Sequence, residues 1–68
     1  MNEHQSQALT EREVAQRLGL SVATLRAWRM KQRGPRFVRF GRAVRYLSTD
    51  IDRYVQDSRV DRDIESVS

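Results

Sequence analysis

The 68-residue sequence predicts a small α+β domain in which two short helices precede a two-stranded β-hairpin and a third helix. Three observations carry this. Capping signals and 3.6-residue apolar spacing mark residues 9 to 31, and aromatic and β-branched runs flank a Gly-containing turn over 37 to 47. A hydroxyl-rich stop at Ser48-Thr49 then opens a further helical pattern.

The first helix begins at Thr10-Glu11-Arg12-Glu13. The Thr10 side chain is set to accept from the Glu13 amide while the Glu13 carboxylate returns to the Thr10 amide, with Leu9 and Val14 as the staple on either side. Val14, Ala15 and Leu18 share one face, and Gly19 supplies the left-handed residue that ends the helix.

Ser21 caps a second helix that runs from Val22 to about Lys31, before Gly34-Pro35. At about 100° per residue, Leu25 and Trp28 project toward a core and Ala23, Arg26, Ala27 and Met30 project broadly away from it. The spacing of Trp28 with Leu25 makes it a packing residue rather than a base-stacking one.

In the hairpin, Phe37-Val38-Arg39-Phe40 and Val44-Arg45-Tyr46-Leu47 flank Gly41-Arg42-Ala43. A three-residue loop pairs Phe40 with Val44 and Val38 with Tyr46, which leaves Arg39 and Arg45 together on the other face. A two-residue loop would mix Arg39 into an apolar set, so the first register is expected. A domain this short needs Phe37, Phe40 and Tyr46 for its core more than for stacking on RNA. Ser48 or Thr49 is expected to cap the third helix, with Asp50 and Asp52 in its first turn and Ile51, Tyr54 and Val55 as its stripe. Residues 1–8 read as a flexible tail, 9–56 as the domain, and 57–68 as a polar tail for protein contacts, with isolated Val60, Ile64 and Val67.

Charge is strongly polarised. No acidic residue lies between Glu13 and Asp50, whereas nine basic residues do: Arg17, Arg26, Arg29, Lys31, Arg33, Arg36, Arg39, Arg42 and Arg45. The net charge of only +4 conceals this, because all nine acids lie outside the stretch. A polyanion is the partner such a surface suits, and duplex nucleic acid is the first to consider. The absence of cysteine and the single His4 argue against disulfides, zinc clusters and thiol chemistry, so no metal and no cofactor are expected. The basic stretch also lacks His, Cys, Asp or Glu to act as nucleophile, acid or base, so no catalytic residues and no enzyme are expected. No apolar run approaches the roughly 20 residues that span a bilayer, and the expectation is a cytoplasmic protein without membrane contact.

Two helices joined by a tight turn, followed by a basic hairpin and a supporting helix, describe a winged helix-turn-helix. The second helix is then expected in a major groove. There Arg26 reads or clamps, and Ala23 and Ala27 permit close approach and contact with a thymine methyl. Arg42 at the hairpin tip lies along the adjacent backbone or minor groove. Arg29, bordering the core side, and Arg36, flanking the turn, are expected to steer or touch phosphates, and Ser21 and Thr24 offer a phosphate the start of the second helix.

The segments Leu9-Thr10-Glu11-Arg12-Glu13-Val14-Ala15, Leu18-Gly19-Leu20-Ser21, Thr24-Leu25-Arg26-Ala27-Trp28 and Pro35-Arg36-Phe37-Val38-Arg39-Phe40, followed by Val44-Arg45-Tyr46 and Asp50-Ile51, resemble the MerR-like winged-helix domains of phage and mobile-element excisionases and AlpA-like regulators. The resemblance covers roughly residues 8 to 56. It implies major-groove entry by the helix carrying Thr24 to Trp28 and wing contacts to the flanking minor groove or phosphates, through Arg26, Arg39, Arg42 and Arg45. It further implies a recombination directionality factor that bends attachment-site DNA, associates cooperatively with its own copies on double-stranded DNA, and acts with an integrase. The alternative it leaves open is transcriptional regulation through the same surface. An RNA-binding or protein-adaptor module is the competing reading from another class.

Overall fold

The computed structural model describes residues 6–60, and their order is β1 (Ala8–Leu9), α1 (Glu11–Leu18), α2 (Val22–Met30), β2 (Val38–Phe40), β3 (Ala43–Leu47) and α3 (Ser48–Asp57). The expected α+β winged helix-turn-helix is observed, with a small third strand added.

Both helix starts follow from local chemistry. The Thr10 side chain accepts from the Glu13 amide at 3.1 Å and the Glu13 carboxylate accepts from the Thr10 amide at 2.8 Å. Ser21 Oγ accepts from the Thr24 amide at 3.1 Å. α1 ends at Gly19, whose φ is +69°, with the Leu20 amide donating to the Ala15 carbonyl at 2.8 Å. α2 ends the same way without glycine. Gln32 takes a φ of +57°, and the Arg33 amide closes on the Trp28 carbonyl at 2.7 Å.

The core consists of Leu9, Val14, Ala15, Leu25, Tyr46 and Ile51, with Leu18, Val22, Trp28, Phe37 and Val44 packed against it. Trp28 is tilted against Tyr54 of α3 with ring centroids 6.1 Å apart. The chain leaves α2 close beneath this indole: a Cβ on Gly34 would lie 2.6 Å from Trp28 Cε3. Ile51 and Tyr54 face inward as expected, whereas Val55 is exposed.

The sheet order is β1-β3-β2, antiparallel throughout. Three expectations are corrected here. First, β3 pairs with β2 as Val38↔Arg45, Arg39↔Val44 and Phe40↔Ala43, so the loop is the two residues Gly41-Arg42 rather than three. Gly41, with φ +62°, supplies the positive φ that the first central position of a two-residue hairpin turn requires. Arg39 therefore shares a face with Phe37, Val44 and Tyr46, and Arg45 lies on the opposite one. The mixed face is tolerated because Arg39 stays exposed and sets its guanidinium 5.7 Å from the Phe37 ring centroid. Phe40, expected in the core, is instead 60% exposed on the outer face.

Second, the tail expected over residues 1–8 does not extend to Ser6. Ala8 and Leu9 pair with Leu47 and Tyr46, and the Ser48 amide donates to the Gln7 carbonyl at 2.8 Å. Third, neither Ser48 nor Thr49 caps α3; the N-cap position is Leu47, which makes no side-chain hydrogen bond. Ser6 serves instead, its Oγ accepting from the Thr49 amide at 3.1 Å. Within the expected 57–68 tail, Ile64 and Val67 lie outside the described residues.

Candidate nucleic-acid interface

α2 presents one side to solvent. Ser21, Ala23, Arg26 and Ala27 are exposed and Thr24 is half-buried, its hydroxyl 3.0 Å from that of Ser21. The two alanines leave the backbone of this face uncovered by large side chains, which is the geometry an α-helix needs to sit deep in a major groove. Beside it runs the wing, so that α2, the first turn of α1 and the end of the hairpin enclose a concavity of about 500 Å³. Its lining is Thr10, Glu11 and Val44 with five arginines: Arg12, Arg26, Arg29, Arg42 and Arg45.

The arginines differ in how they are held. Arg42, at the turn, is exposed, and Arg45 donates to the Val44 carbonyl at 2.8 Å, which keeps it against the sheet. Arg26 donates through Nε and Nη2 to Glu11 Oε2, the Nε contact at 3.1 Å, yet its side chain remains 61% exposed. Arg29 is turned inward with its side chain 16% exposed. It donates to Glu11 Oε1 at 3.2 Å and to the Tyr46 hydroxyl at 3.0 Å, and lies 5.7 Å from the Phe37 centroid. Arg29 thus lies at the inner edge of the concavity it lines, on the core side that it was expected to border. The buried Tyr46 hydroxyl requires a partner, and Arg29 is the residue placed to satisfy it.

This network fixes charge states. The Arg26 hydrogen bond holds the Glu11 carboxyl below its ordinary range against the opposing effect of partial burial, and Arg29 adds to the lowering. The same contact raises Arg26. Burial works against the Arg29 charge, but its bonds to Tyr46 and Glu11 outweigh that and raise its pKa. Glu11, Arg26 and Arg29 are thus held in their charged forms.

Two expected residues lie elsewhere. Arg39 lies on the hairpin face of Val44, beside the Phe37 ring and outside the lining of the concavity, and Arg36 lines a separate hollow with Asp50, Arg53 and Asp57 of α3. Conversely, Arg12 and Glu11 belong to the concavity without having been expected there. Both fall outside the acid-free stretch, and only the pairing of β1 with β3 brings the start of α1 beside the wing. Among the described residues no group of three or more His, Cys, Asp or Glu is placed to hold a metal, and no helix is long and apolar enough to cross a membrane.

Residues 8–59 match the model of a family described as a helix-turn-helix domain. The chain belongs to that family. The match takes in every element from β1 to α3, so the helix-turn-helix domain includes the wing and the strand that anchors it. No curated protein and no solved structure shows a significant match to the chain. Membership supports DNA binding by this helix-turn-helix domain, and the exposed face of α2 beside the arginine-lined concavity is the surface on which such binding is to be sought.

Proposed function

We propose that this helix-turn-helix domain is a sequence-specific, non-enzymatic binder of duplex DNA that acts as an excisionase. α2 enters a major groove, the wing follows the neighbouring backbone or minor groove, and the bound attachment-site DNA bends to promote integrase-mediated excision of a mobile element. The observation that carries the DNA-binding part is the convergence of exposed Arg26 and Arg42 with Arg12 and Arg45 on one concavity beside the small residues Ala23 and Ala27. In this reading Arg26 reaches base edges, Ala23 and Ala27 touch them, and Ser21, Thr24, Arg12, Arg42 and Arg45 contact backbone. Arg39, exposed on the wing face that it shares with Val44, contacts the backbone of the flanking DNA. The resemblance of the motif set to excisionases and AlpA-like regulators supports the biological role. A single domain of this size reads a short site, so copies assemble cooperatively on adjacent repeats, and the segment from Asp57 onward serves contacts with a neighbouring copy or the integrase.

The test is an electrophoretic mobility shift on DNA flanking the gene and any adjacent attachment site, with phased-bend probes. Stepwise complexes with strong bending at an attachment site support excision. Binding confined to a promoter operator without repeats assigns the same surface to an AlpA-like regulator, and preference for single-stranded RNA over duplex DNA overturns both.

A further inference from the structure

We infer that Glu11 is a positioning residue that sets the guanidinium of Arg26 for guanine readout, an inference that rests on the DNA-binding reading above. A guanidinium has five N–H donors in a planar fork. Glu11 Oε2 takes Nε–H and one hydrogen of Nη2, the side-on edge of the group. The end-on edge, made of Nη1 and the outer hydrogen of Nη2, makes no bond among the described residues, and the side chain is open to the concavity. Two parallel donors on a locked plane match the O6 and N7 acceptors of guanine in the major groove.

The lock is itself anchored. Glu11 Oε1 accepts from Arg29, and Arg29 also donates to the buried Tyr46 hydroxyl. Side-chain exposure rises outward along this series, from 16% at Arg29 and 22% at Glu11 to 61% at Arg26, so a chain of hydrogen bonds runs from the core to the reading group. Phosphate also accepts the planar fork bidentately, so dependence on a guanine, rather than affinity, separates base reading from a backbone clamp. A fixed plane on a helix face that enters the major groove aims the end-on edge at base edges. The carboxylate also repels the DNA backbone, so positioning and general affinity are opposed at Glu11. Its removal should raise the second while lowering discrimination.

The experiment uses duplexes enriched from a randomised pool by the wild-type full chain, each then carrying single G·C→A·T changes. Affinities are measured for wild type, Glu11→Gln, Arg26→Ala and the double variant, below a thermal midpoint established for each by circular dichroism. One guanine should cost the wild type roughly tenfold in affinity when replaced. Glu11→Gln should shrink that penalty to about two- or threefold while binding mismatched duplexes as tightly as wild type or more so. Arg26→Ala should abolish the penalty, and adding Glu11→Gln to it should change discrimination no further.

Uniformly tighter binding by Glu11→Gln with the guanine penalty intact would show that the carboxylate acts through charge alone. A lowered thermal midpoint with the penalty intact would show a structural role alone. An effect of Glu11→Gln on discrimination that persists without Arg26, or the lack of any Arg26-dependent guanine in enriched duplexes, would also overturn the inference while leaving DNA binding in place. Enrichment of no duplex would instead remove the DNA-binding reading and this inference with it.

Discussion

Ser6 Oγ accepts the backbone N–H of Thr49 at 3.1 Å, so the first turn of α3 is capped by a residue 43 positions earlier in the chain. The Thr49 hydroxyl donates to the same oxygen at 3.0 Å, and Ser48 Oγ accepts from the Gln7 amide at 2.9 Å. The segment before β1 is thus tied to the last helix, and the cap that α3 lacks locally comes from outside it.

Ser6→Ala should therefore destabilise the domain by about 1 kcal/mol, the usual cost of losing an N-cap acceptor. In a domain of this size that lowers the thermal midpoint by roughly 4–8 °C, measurable by circular dichroism. An unchanged midpoint would mean that water replaces the serine at no cost.

Gly34 and Gly41 both have positive φ, at +83° and +62°, and substitution should separate them. A Cβ at Gly34 meets Trp28 Cε3 at 2.6 Å and the Trp28 Cβ and Cδ2 at 3.2 Å, whereas a Cβ at Gly41 meets nothing within 4 Å. Gly41→Ala should cost about 1–2 kcal/mol of backbone strain alone. Gly34→Ala adds displacement of the indole and should cost roughly 2–4 kcal/mol. Chemical denaturation of the two variants checks the order.

Stability should fall in acid in a window set by Glu11 and Glu13. The Arg26 hydrogen bond lowers Glu11, and the Thr10 amide lowers Glu13. Each carboxylate binds fewer protons folded than unfolded, so its contribution is complete above the ordinary value of 4.5 and is lost as pH falls through the lowered folded values. The thermal midpoint should hold steady from neutral pH until that value is approached and then drop. The Glu11→Gln/Glu13→Gln variant should start lower and fall less. Identical slopes in the two proteins would assign the acid sensitivity to other groups.

An arginine-lined interface predicts steep salt dependence. With about five phosphates neutralised, the logarithm of the association constant should fall against the logarithm of salt concentration with a slope of about −4 to −5. Arg42→Ala should reduce that slope by about one and weaken binding evenly across sequences, unless the tip enters a narrow minor groove, where some sequences would lose more. Fluorescence anisotropy titrations at several salt concentrations provide the check, and a slope near zero would rule out an electrostatic interface.

What could be read from the chain alone depended on how far apart the interacting groups lie. Thr10 with Glu13, and Ser21 with Thr24, act across three residues, and Gly19 acts at its own φ, so α1, the turn and the start of α2 follow from local order. The polarised charge and the small exposed face of Ala23 and Ala27 are equally local, because helical period alone turns that face outward. The hairpin was legible as a hairpin, but its register was not. Sorting side chains by polarity favours the longer loop, whereas Gly41 supplies a tight turn and the Phe37 ring gives Arg39 a place on the mixed face.

The remaining decisions belong to tertiary structure. β1 is two residues long and is a strand only because Tyr46 and Leu47 offer it a ladder, and that pairing carries Ser6 to α3 and the first turn of α1 to the wing. Helical period places Arg29 at the border of the apolar face, about 40° from Leu25, and does not choose between phosphate and core. The Tyr46 hydroxyl draws it inward, because its buried oxygen accepts from Arg29 Nη1. Local order settles which segments are helix, wing and cation-rich surface. Only the fold decided which arginines face the concavity, because that depends on contacts between groups 15 to 18 residues apart, such as Glu11 with Arg26 and Arg29, which no local pattern encodes.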